Sequence, residues 1–75
     1  MLNSGMDRHI LNRHLAQVEE HVCLGEQHIA RQHEIIAALR ASGRDTTRAL
    51  ALVRQFEEMQ VLHLAHRDRL LRKLA

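Results

Sequence analysis

The sequence has no proline, no tryptophan and no tyrosine, and only one phenylalanine, one cysteine and three glycines in 75 residues. Each shortage excludes something. Without proline, the commonest interrupter of a helix is missing, since its ring clashes with the preceding turn and removes an N–H. With Phe56 as the sole aromatic, any core is aliphatic, and a stacking platform for single-stranded nucleic acid has almost nothing to be built from. The lone Cys23 cannot form an intramolecular disulfide, so a disulfide-stapled fold is excluded. No apolar run approaches the ~20 residues that span a bilayer. Met1 to Gly5 lacks the basic region and apolar stretch of a signal peptide. The expectation is a cytoplasmic protein with no membrane partner.

Apolar residues make up 45% and charged residues 27%, a balance that fits one small folded domain rather than a disordered chain. The net charge is only +2, with Arg and Glu interspersed until Arg67, Arg69, Arg72 and Lys73. A phosphate-binding surface needs positive charge gathered on one face. The terminal cluster reads first as cations favoured at a helix C-terminus, so nucleic acid is not an expected partner.

Ser4 with Asp7 three residues on is a capping-box pattern for a helix start. Leu11, Leu15, Val18, Val22, Gly25, Ile29, Gln32, Ile36 and Leu39 then recur at alternating spacings of four and three. That is a heptad seam, with Leu15, Val22, Ile29 and Ile36 at a, and Leu11, Val18, Gly25, Gln32 and Leu39 at d. Gly25 and Gln32 are its two non-aliphatic members; Gln32 reads as a register-setting polar residue or as a group at an interface edge. The pattern stops at Ala41 to Thr46, where Gly43 is the natural left-handed residue past a helix end. Asp45 or Thr46 supplies the cap of the next helix. So short a connection forces an antiparallel hairpin.

The predicted architecture is therefore all-α: a helix over about 5–41, a turn at 42–45 and a helix over about 46–74, with residues 1–5 as a disordered extension. The second helix has a main stripe of Ala49, Leu52, Phe56, Met59, His63, His66, Leu70 and Leu74. A further apolar set, Leu50, Val53, Val61, Leu64 and Leu71, lies roughly 80–160° round the helix from His63 at ~100° per residue. One partner helix cannot cover both. Below ~70–80 residues a single core also rarely suffices without disulfide, metal or oligomerisation. A homodimeric four-helix bundle is the simplest closed solution. The b positions Ala16, Cys23, Ala30 and Ala37 form a line of small side chains. It suits either close approach of a neighbouring helix or simple helix propensity. A symmetric fold at Gly43 to Asp45 sets Gly25 opposite His63, Val22 opposite His66, Val18 opposite Leu70 and Ile36 opposite Leu52, leaving residues before Leu11 to overhang.

Histidine is over-used, with seven in the chain. His14, His21 and His28 repeat every seven residues at g, ~10.5 Å apart along the axis at 1.5 Å per residue, too far to share one ion. They read as a polar edge to the seam. His63 and His66, an i, i+3 pair, with His21 or His28 nearby, are the candidate metal ligands. The bland alternative is a pair of core histidines satisfied by hydrogen bonds. Neither the Glu-x-x-His di-metal pattern nor the His-Glu-x-x-His zinc pattern occurs. Glu19 and Glu26 beside Cys23 disfavour a thiolate, so it reads as a packing residue. No nucleophile arrangement, phosphate loop or paired carboxylates can be assigned; neither catalysis nor a cofactor is expected.

The segments Arg13-His14-Leu15-Ala16-Gln17, His28-Ile29-Ala30-Arg31-Gln32, Asp45-Thr46-Thr47 and His66-Arg67-Asp68-Arg69-Leu70 resemble those of a group of short uncharacterised bacterial helical-hairpin proteins. The resemblance spans about Met6 to Leu74 and implies Met6 as an alternative native start. It implies boundaries and no activity. The functional expectation is a self-associating, non-enzymatic interaction module that engages a further protein, with a metal- or small-ligand-binding bundle as the alternative.

Overall fold

The computed structural model describes the backbone of residues 4–75 and side chains from Asp7 onward. Helix α1 runs Ser4–Ala41 and helix α2 Thr47–Leu74, with no strand among the described residues. They pack along their length as an antiparallel hairpin. The Ser4 side chain, and with it the capping box, lies outside the described residues, as do Met1 to Asn3 of the extension expected over 1–5; its last two residues, Ser4 and Gly5, belong to α1.

The turn is built by local chemistry. Gly43 adopts φ 68°, a region costly for any residue with a Cβ. That lets the Gly43 amide donate to the Arg40 carbonyl at 3.0 Å and the Arg44 amide to the Leu39 carbonyl at 2.8 Å, a Schellman closure of α1. Asp45, rather than Thr46, caps α2: the Thr47 hydroxyl (2.7 Å) and amide (3.0 Å) both donate to Asp45 Oδ1. Those two bonds, the hydroxyl's first, hold the Asp45 carboxyl below the ordinary carboxylate range.

All nine seam positions of α1 are buried or half-buried, with Val18, Val22 and Ile36 the most enclosed. On α2 the seam differs from the expected stripe. Val53, Gln60 and Leu70 are buried, whereas Leu52 and Met59 are exposed. Thr46, Val53, Gln60, Arg67 and Leu74, seven apart, form the centre of the contact, flanked by half-buried Ala49, Leu50, Phe56, His63 and Leu64. The register is correspondingly about one helical turn from the symmetric expectation. Gly25 lies against Gln60, not His63; His21 meets His63 and His28 meets Phe56. The turn is the cause. Arg44 folds back beside Ala38 and Leu39, so α2 begins about a turn below the end of α1. The same offset brings Arg8 Nη1 within 3.2 Å of the Leu74 carbonyl, where a cation suits the helix C-terminus. Residues just before Leu11 therefore have a partner and do not overhang.

Two further expectations change. Val53 is only 3% exposed within a single hairpin, and Leu64 is half-buried, so the second apolar set does not stay wet as a whole. The small-residue line Ala16, Cys23, Ala30 and Ala37 is exposed and does not carry the α1–α2 contact.

Candidate functional site

Beside the seam runs one lateral flank of the hairpin, made of the c and g positions of α1 and the adjoining stripe of α2. Moving along α1 it presents Ile10, His14, Gln17, His21, Leu24 and His28. Along α2 it presents Leu52, Phe56, Met59, His63, His66 and Leu70. The main apolar stripe read from the sequence of α2 is thus largely this flank. Ile10, Leu24, Leu52 and Met59 are 38–51% exposed. No Asp or Glu occurs at any of these positions; Glu19, Glu26 and Glu57 project from the other flank.

Near mid-length the flank dips into a groove of about 290 Å³ lined by His21, Leu24, Gly25, His28, Phe56, Met59, Gln60 and His63. Its floor is set by Gly25. A Cβ built there would collide with Gln60 Oε1 and stand 2.8 Å from Gln60 Cδ. Glycine therefore admits the Gln60 amide into the helix contact, where Nε2 donates to the Val22 carbonyl at 2.9 Å. Gln60 Oε1 and His63 Nδ1 are both buried without a hydrogen-bond partner. Such atoms are rare in native proteins and call for an explanation.

The candidate histidines divide as follows. His21 and His63 face each other with ring centroids 5.2 Å apart and planes tilted by 36°. His28 stacks beside Phe56 at 5.4 Å. His66 lines the next depression along the rod, with His14 and His21, so the i, i+3 pair His63 and His66 opens onto two grooves rather than one. Within one chain no three His, Cys, Asp or Glu side chains converge to hold a metal, among the described residues. Cys23 is exposed and its sulfur accepts from Gln27 Nε2 at 3.6 Å, clear of the histidines.

Gln60 is the site residue the sequence reading missed. Its signal was indirect: a glycine in an aliphatic seam implies a bulky partner, but the assumed symmetric turn awarded that place to His63. No helix among the described residues is long and apolar enough to cross a membrane. Comparison with protein-family models, curated proteins and solved structures found no match to the chain.

Proposed function

We propose that the chain is a self-associating, non-enzymatic interaction module in which a second copy covers the histidine flank, giving a four-helix bundle. The observation that carries this is surface area. The hairpin exposes 5922 Å², whereas a compact chain of 8.7 kDa exposes about 4,700 Å² by the usual mass scaling. The excess, about 1,200 Å², is more than the ~800 Å² per partner that a stable interface covers. The radius of gyration agrees: 17.5 Å against about 11 Å for a compact domain of this length. The flank is the face best suited to burial, being apolar or histidine apart from Gln17 between Ile10 and His28 on α1 and between Leu52 and Leu70 on α2, with Asp7 and Lys73 at its open end. The opposite flank carries Glu19, Glu26 and Glu57 and remains available for a different protein.

Light scattering or sedimentation equilibrium at micromolar concentration tests the reading, with a mass twice 8.7 kDa expected. Leu24→Glu with Met59→Glu removes two side chains worth ~1.5–3 kcal/mol each on burial, so association should weaken by at least about a hundredfold. Glu20→Ala, on the far side, should leave it unchanged. Val53→Glu is a poor test, because Val53 belongs to the hairpin's own core. A monomer mass for the unmodified chain refutes the proposal.

A further inference from the structure

We infer that the paired module binds a zinc-class divalent metal ion at its centre, held by His21 and His63 from both copies; the inference rests on the pairing proposed above. The first ground is position. His21 lies within two residues of the midpoint of α1 and His63 within three of the midpoint of α2, or about 2 and 4 Å along the axis at ~1.5 Å per residue. Two identical rods that overlap fully about a two-fold axis bring mid-length groups onto themselves. This holds whether the axis runs along the rods or across them. A pair at the middle of the covering face therefore becomes a set of four imidazoles.

The second ground is spacing. With Zn–N bonds of about 2.0–2.1 Å and a ring centre about 1.15 Å behind the ligating nitrogen, each centre sits about 3.2 Å from the ion, and a tetrahedral angle then separates two centres by about 5.2 Å. His21 and His63 stand at 5.2 Å. A single chain supplies half of the tetrahedron, and the ion closes it only across the interface.

The third ground is the pair of orphaned atoms. His63 Nδ1 and Gln60 Oε1 are buried and unpartnered, and their residues, three apart on α2, line the same groove. No hydrogen bond joins them in the free chain, yet they are complementary. A hydrogen bond from Nδ1–H to that amide oxygen on assembly of the site would fix the tautomer that leaves the Nε2 lone pair for the ion. Metal-bound histidines almost always have such a supporting acceptor.

The test uses tag-free full-length chain with zinc alone, and with cobalt as a spectroscopic probe. Equilibrium dialysis should give one zinc per two chains, and cobalt should show the intense visible absorption of a tetrahedral site. His21 is exposed, so His21→Gln leaves the hairpin intact and should weaken zinc binding at least about a hundredfold, beyond what loss of a supporting group costs. His14→Gln should bind zinc as the unmodified chain does. No zinc binding by the dimer, one ion per chain, or indifference to His21→Gln each overturns the site. The mass measured without zinc reads the pairing separately. A zinc-indifferent dimer defeats the metal site alone, and a chain that is monomeric without zinc defeats the pairing.

Discussion

Replacing Gly25 by alanine ought to stabilise an ordinary helix interior, by about 0.8–1.0 kcal/mol. Here it should do the reverse. The new methyl group would occupy the place of the Gln60 amide, whose Nε2 bonds the Val22 carbonyl at 2.9 Å. Displacing the amide breaks that bond in a buried setting, at a cost of about 1–3 kcal/mol. After subtracting the gain in propensity, the net is a loss of about 1 kcal/mol, or roughly 5 °C in Tm for a chain of this size. Thermal melts followed by circular dichroism would measure it. They should be repeated over a range of protein concentrations, because the proposed association would make Tm concentration-dependent. Gln60→Ala in the same chain makes room for the methyl group, so the double variant should be more stable than the summed single effects by about 0.5–3 kcal/mol. A Tm for Gly25→Ala above that of the unmodified chain would show that the amide does not occupy that space and would refute the register.

Other outcomes follow from the turn and the ends. Asp45→Ala should fray the start of α2, read as faster hydrogen exchange at Thr47 to Leu50, because it removes both bonds to Oδ1. Since the folded Asp45 pKa is depressed, its contribution is present above the unfolded value of ~3.9 and is lost as pH falls through the folded one. A Tm that loses no part of its acid dependence in Asp45→Ala would contradict this. Arg8→Ala should loosen only the open end of the hairpin, with a stability change under about 1 kcal/mol, as for other exposed charge interactions at a helix terminus; a large global loss in a urea melt would argue against so local a role.

How much could be read from the sequence depended on whether a property was local. Gly43 and the α1 seam from Leu11 to Leu39 are set by backbone preference and by apolar spacing, and both were legible. The α2 seam was not, because two of its central members, Gln60 and Arg67, are polar and an apolar count steps sideways to Met59 and His66. The axial offset of the turn was invisible as well. It depends on Arg44 folding back along α1 rather than on the identity of any residue in the seam. Those two misses share one result: His63 and His66 were assigned to the hairpin's interior, when the packing sets them at its side.

The contact of Arg8 with the Leu74 carbonyl gives the molecule a handle and a head. Residues near both ends of the chain sit together at one pole, while the Gly43 turn stands alone at the other, on a body 63 Å long and about 15 Å across. Anything joined to either terminus is carried well clear of whatever engages the turn. A fluorescent protein or an affinity tag placed at the N- or C-terminus therefore leaves the distal tip unobstructed. If two copies lie in opposite directions, such a label appears at both ends of the bundle; if they lie in the same direction, both labels crowd one end. Energy transfer between terminal labels on the two copies would tell these arrangements apart without disturbing a single packed side chain.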